Sequence, residues 1–267
     1  MRRFAFVLAL MGALWVIQVL GVRADEVRPA ALVSNQVVHV HRIVKSACLV
    51  LSGAPPEVHL EDISTSSAAM RSGFQALSID SPRSDGTLIA SARRDGDVLT
   101  RAALQIVAGD RHSVAVAQLL RKGPLVTARL EALSSLPGGA FLQAIHDVRV
   151  RSQRAQRDLC LLRIGLVGER AVRRLAADSA AIPDVLAGLQ DGNRRLGLDR
   201  APNIHIKVAI GKAASKWRSL APIAQRAVDG DTLDLRDVQV ASVLVDAMLG
   251  NLNEALGHFD ALRKPPG

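Results

Sequence analysis

The stretch DTLDLRDVQVASVLVDAMLGNLNEALGHF, Asp231–Phe259, decides the fold class. Within it Val238, Ala241, Val245, Met248, Leu252, Ala255 and Phe259 recur at alternating spacings of three and four. A 3.6-residue repeat places such residues on one stripe, the seam along which a helix packs in a bundle. Asp231 is the expected N-cap, and Gly230 closes the helix before it.

The same periodicity extends outward through most of the chain. Alternation of period two is nearly absent, and the only aromatics are five Phe and two Trp, with no Tyr. Gly53-Ala54-Pro55-Pro56 breaks one helix before Glu57 begins the next. Ser81-Pro82-Arg83-Ser84-Asp85-Gly86 and Asp191-Gly192-Asn193 onward to Pro202 read as loops, and Gly109-Asp110 repeats the cap at 230–231. Leu136-Pro137-Gly138-Gly139 is the strongest central break. Four helices precede Pro137 and four follow, so the expected fold is all-α: two tandem antiparallel four-helix bundle modules, 25–136 and 137–267. Gly123-Pro124 and Pro183 fall inside helical stretches, and each is expected to end or kink its helix.

The two halves also match residue by residue. A shift of 112 places Arg42 on Arg154, Cys48 on Cys160, Leu49 on Leu161, Gly53 on Gly165 and Glu57 on Glu169. It also places Ser67-Ala68-Ala69 on Ser179-Ala180-Ala181, and Leu77 on Leu189. These are nine identities over the 36 ungapped positions from 42 to 77, where composition alone gives about three. The Gly-Asp caps match at a shift of 230 − 109 = 121, so the second copy carries a longer loop. The chain reads as a tandem duplication.

The first residues speak to location. Met1-Arg2-Arg3 is followed by an uncharged apolar run from Phe4 to Val22, and Val22-Arg23-Ala24 places small residues where a signal peptidase needs them. Residues 1–24 read as a secretory signal peptide cleaved after Ala24, giving a periplasmic protein. The alternative is an uncleaved anchor, since the run approaches spanning length. The formal charge of +9 then falls to +6, because Arg2, Arg3 and Arg23 leave with the leader. The remaining bases are interspersed with acids and lack aromatic platforms, which argues against a nucleic-acid groove.

Two cysteines allow one disulfide, Cys48 with Cys160, or two buried thiols that behave as small apolar groups. There is no His-Glu-x-x-His, no glycine-rich phosphate loop and no Gly-x-Ser-x-Gly elbow. Nothing in the sequence points to a catalytic set, a metal or a cofactor. Asp231 and Asp234 read as first-turn acids, and Trp217 as core.

Arg149-Val150-Arg151-Ser152-Gln153-Arg154-Ala155-Gln156-Arg157 resembles the first-helix signature of a periplasmic sensory domain. That domain is the N-terminal region of type IV pilus methyl-accepting chemotaxis transducers, related to the input domain of nitrate/nitrite sensor kinases. Its pattern runs approximately Arg-Met-Leu-Ser-Gln-Arg-Met-Ala-Lys. Arg149, Ser152-Gln153-Arg154 and Arg157 fall on the matching places. The first copy keeps Arg42 and Lys45 but has Val37 for the leading Arg and Val40-His41 for Ser-Gln. The resemblance implies helical bundles, an extracytoplasmic location and sensing of a small oxyanion such as nitrate or nitrite, the leading Arg facing the anion. No coiled signalling linker or methyl-accepting region follows the second copy, so a separate membrane-bound partner is implied for signalling. The alternative function is a periplasmic scaffold or adaptor that binds another protein and no small ligand.

Projected on a helix, Ile145, Val148, Ser152, Ala155, Leu159, Leu162 and Leu166 form one seam, and His146, Arg149, Gln153, Gln156, Cys160 and Arg163 a second beside it. The same register gives Ser34, Val37, His41, Val44, Cys48 and Leu51 in the first copy. A helix with two usable faces packs against two partners, so the second seam is expected to join the copies. Arg149, Gln153, Arg154 and Arg42 are the candidate ligand-binding residues. Arg suits a planar oxyanion because its guanidinium offers paired donors in a rigid fork. Arg154 points about 140° from Arg149 around the helix. The competing reading pairs these arginines with acids such as Asp147 and Asp158.

Overall fold

The computed structural model describes residues 27–80, 86–110, 113–133 and 139–263. The expected signal peptide at 1–24, the expected loop at 81–85 and the expected break at 136–138 lie outside the described residues. The fold is all-α. The helices are α1 (Val27–Leu51), α2 (Pro56–Asp80), α3 (Gly86–Val107), α4 (Ser113–Leu133), α5 (Ala140–Arg163), α6 (Glu169–Asp191), α7 (Ile204–Val228) and α8 (Leu235–Arg263). A 3-10 turn, Arg194–Leu196, lies between α6 and α7, in the longer loop that the second copy carries. Among the described residues there is no strand, only an isolated bridge between Asn193 and Leu198. None of the described helices is long and apolar enough to cross a membrane.

Each helix buries the stripe its sequence lays down. In α8 the residues Val238, Ala241, Val245, Met248, Leu252 and Ala255 are fully buried, and Phe259 stacks on Phe141 of α5 at 5.6 Å. Trp217 is buried with Leu220 on α7. Truncating one such apolar side chain removes its transfer energy and leaves a cavity, a cost of about 2–5 kcal/mol.

The helix ends show the duplication in hydrogen bonds. Gly53 and Gly165 close α1 and α5 at φ of +99° and +68°, and Gly109 and Gly230 close α3 and α7 at +97° and +88°. At all four the glycine N–H reaches three residues back and the next N–H five residues back. Ala54 N donates to Leu49 O at 2.9 Å, Leu166 N to Leu161 O at 3.0 Å, Asp110 N to Gln105 O at 2.9 Å and Asp231 N to Arg226 O at 2.9 Å. This double closure needs a left-handed residue, which glycine adopts without a Cβ penalty.

Two local expectations are corrected. The cap of α8 is Asp234, not Asp231: Asp234 Oδ1 accepts from Asp237 N at 2.7 Å, and Asp237 Oδ2 accepts from Asp234 N at 3.0 Å. This reciprocal pair satisfies two donors at once, whereas Asp231 serves the closure of α7. Nor do the prolines end their helices, since α4 runs through Pro124 and α6 through Pro183. The lost hydrogen bond costs roughly 3 kcal/mol, and the buried residues on either side outweigh it. These are Leu119, Val126 and Leu130 on α4, and Ile182, Leu186 and Leu189 on α6. Gly123 also brings α4 close to α1, for a Cβ there would sit 3.0 Å from Val44 Cγ2.

α1 packs against α2, α3 and α4, while α5 packs against α6, α8 and the edge of α7. The first four helices meet the last four chiefly through α1 against α5. Among the described residues five links cross this contact: Asn35 with Arg149, His41 with Arg157, Cys48 with Cys160, the Ser52 hydroxyl with Cys160 Sγ, and the Ser52 carbonyl with Arg163. Their sequence separations are 114, 116, 112, 108 and 111. A near-constant separation means that the helices run parallel with equivalent residues opposite. It also coincides with the shift that aligns the two halves. Cys48 and Cys160 are joined in a disulfide with Cα atoms 6.1 Å apart, within the range such a bond spans.

Candidate functional site

Above the disulfide, α1, α5 and α8 enclose a cleft of about 650 Å³. Arg42 and Arg149 both line it, with His39, His146, Asn35 and Asp246. Arg149 is only 6% exposed. Its Nη2 donates to Asn35 Oδ1 at 2.8 Å and its Nη1 to His146 Nδ1 at 3.1 Å. Because guanidinium can only donate, His146 accepts at Nδ1 and carries its proton on Nε2. The Arg149 Nε is buried without a partner.

The decisive feature is electrostatic. On the same helix Arg154 makes a two-pronged contact with Asp178, Nε to Oδ2 at 2.8 Å and Nη2 to Oδ1 at 2.7 Å. Arg151 is held by Asp147 and Asp178, and Arg157 by Asp158. Among the described residues no carboxylate pairs with Arg149. Burial and then the nearby Arg42 charge lower its pKa to about 10, so it remains a cation at neutral pH. Beside it, Lys45 Nζ sits 2.8 Å from Asp246 Oδ2, and Arg42 Nη2 reaches Asp246 Oδ1 only at 3.5 Å. Arg42, Arg149 and Asp246 thus share the cleft, with Lys45 buried behind Asp246 and paired to it. A buried cation without a counter-charge is costly, and an anion from solution relieves that cost.

Of the residues chosen from sequence, the fold brings Arg149 and Arg42 together and leaves two elsewhere. Arg154 faces Asp178, and that hydrogen bond, followed by the Asp178 charge, raises its pKa. Gln153 is fully buried one turn beyond Arg149, outside the cleft lining, with both amide atoms unpartnered. Sequence reasoning placed His146 on the joining seam without giving it a role. It gave no ligand role to Asn35, His39 or Asp246, and it named Lys45 only as a retained residue of the first-copy signature. The signal for Asn35 was the shift of 112, which sets it two residues from Val37, the position opposite Arg149. Lys45 pairs across to α8, a choice no local spacing reveals.

Both cleft histidines are neutral. Burial, then the charges of Arg42 and Arg149, lowers the pKa of His39 from 6.5 to about 4. Burial, then Arg149, does the same to His146. The sign follows from proton uptake. Above pH 6.5 the rings are neutral in both the folded and the unfolded chain. Between 6.5 and about 4 the unfolded chain binds protons that the folded one refuses, so stability falls as pH falls. Denaturant titrations across this window are expected to show that loss. In a His39→Gln, His146→Gln variant the decline should be shallower, and identical slopes would contradict the assignment.

The chain was compared with models of known protein families, with characterised proteins and with solved structures, and it matches none of them.

Proposed function

We propose that the chain is a periplasmic sensory or binding protein whose second half holds a small oxyanion at Arg149, assisted by Arg42. The observation that carries this reading is a buried arginine, lining an open cleft, with no carboxylate among the described residues to neutralise it. Asn35 and His146 hold the guanidinium through its Nη atoms, which pre-organises it for an incoming anion. Val37 in the place equivalent to Arg149 makes the site one-sided. The resemblance of the Arg149–Arg157 segment to the type IV pilus transducer and nitrate-sensor input domains supports the same reading. So does the contact of α1 with α5, which agrees with reading 25–136 and 137–267 as two tandem four-helix modules. Occupancy would be reported through a separate membrane-bound partner.

Arg149→Gln tests the site in two ways. For the parent, an anion at 100 times its dissociation constant is expected to stabilise the fold by about 2.7 kcal/mol. Thermal-shift measurements with nitrate, nitrite and small carboxylates at low ionic strength read this directly. In Arg149→Gln the stabilisation should vanish, while ligand-free stability should hold or rise, because an unpaired buried charge has been removed. No shift with any anion, or an equal shift in the variant, would move the adaptor reading ahead.

A further inference from the structure

The cleft is long, and its two ends differ in chemistry. Arg42 and Asp246 line one end, with buried Lys45 paired to Asp246 behind them, and the Phe141–Phe259 stack lies next in sequence to Leu142 of the lining, outside the lining itself. With α1 and α5 parallel, these two contacts fix α8 antiparallel to both. The lining on α1 runs from Ala31 to Arg42, about 16 Å at 1.5 Å per residue. Arg42 and Arg149 stand toward the first end, while Ala31, Leu142 and Leu256 line the second.

Resting on the reading of Arg149 as an anion site, we infer that the ligand is a monocarboxylate with an extended apolar chain, not a compact inorganic oxyanion. The carboxylate meets Arg149 and Arg42, and the chain lies along α8 toward Leu142 and Leu256. The volume of about 650 Å³ falls within the roughly 300–1,000 Å³ of sites that hold organic ligands, and a three-oxygen anion fills little of it. Gly250 and Gly257 stand seven apart on the α8 wall, and a Cβ built on either meets nothing within 4 Å. Those two positions are therefore open space on a wall that also carries Leu249, Asn253 and Leu256, where a chain can lie. Asp260 lines the same cleft on α8, one turn beyond Leu256, so it opposes a second carboxylate at the far end of the ligand.

Calorimetric titration of the protein with the sodium salts of nitrate, acetate, butyrate, hexanoate and adipate tests this inference. Affinity is expected to rise two- to fourfold per methylene from acetate to hexanoate, the range for partial to full burial of a CH₂. Adipate should bind at least tenfold more weakly than hexanoate. Gly257→Leu should weaken hexanoate at least tenfold yet leave acetate within twofold, with Gly250→Leu as a second variant and circular dichroism confirming the helices. Equal affinity for acetate and hexanoate, adipate binding as tightly as hexanoate, or a loss in the glycine variants shared by acetate and hexanoate would overturn the proposal while leaving the anion site standing. If none of the five salts binds, or if Arg149→Gln leaves every affinity unchanged, the anion reading itself fails.

Discussion

Replacing Cys48 and Cys160 together by alanine should lower the unfolding free energy by about 4–5 kcal/mol. The bond joins residues 112 apart, so in the chain-entropy model it removes much of the freedom of the unfolded chain. Both cysteines are fully buried, and the alanines keep the seam apolar. The native helical signal should therefore persist at low denaturant while the midpoint moves down. Urea titration of the double variant, set beside the reduced parent, measures the effect. A change below about 1 kcal/mol would mean that the α1–α5 contact already constrains the unfolded chain, or that the bond is absent in solution.

Asp158→Ala should be nearly as damaging, by about 3–5 kcal/mol. Asp158 is fully buried. Its Oδ1 accepts from Arg157 Nε at 2.9 Å and Nη2 at 2.6 Å, and its Oδ2 accepts from Arg174 Nε at 2.7 Å. Arg157 is itself 7% exposed and donates Nη1 to His41 Nδ1 at 3.2 Å. Burial weakens the Arg157 charge state and Asp158 counters that, so removing the carboxylate strands a guanidinium in the core. Adding Arg157→Met should recover most of the loss, since both charges then leave the interior. If the double variant is no more stable than Asp158→Ala alone, the pair is not the source of the penalty. Two buried arginines on one helix thus behave differently: removing Arg149 should leave stability unchanged or higher, whereas stripping Arg157 of Asp158 should lower it, because of the two only Arg157 pairs with a carboxylate among the described residues.

What could be read from the sequence is what repeats locally. The apolar spacing of α8 and the glycine closures at 53, 109, 165 and 230 depend on neighbours within a turn or two. The shift of 112 anticipated the level at which Cys48 meets Cys160, but whether they form a bond or two buried thiols depends on how the facing helices pack. Pro124 and Pro183 do not end their helices, because the packing on either side overrides the local cost of the lost hydrogen bond. Asp231 misled because two acids stood within one turn of the helix start, and only the backbone geometry distinguishes a closing residue from a cap. Partner choice among charges was the least legible. Arg154 selects Asp178, and Lys45 selects Asp246 on another helix. Such pairings depend on which helices become neighbours, and no short-range pattern encodes that.

The parallel register of α1 and α5 has a consequence for how the site responds to dilution. A site assembled between separate copies of a protein weakens as those copies drift apart, so its occupancy depends on protein and ligand together. Here both walls belong to one polypeptide, and the tether holds each at a high effective concentration relative to the other, with a covalent bond added at the base of the contact. Diluting the protein leaves that encounter unchanged. Asn35 and Arg149 meet in every folded molecule, so the occupancy of the proposed anion site would follow the ligand concentration alone.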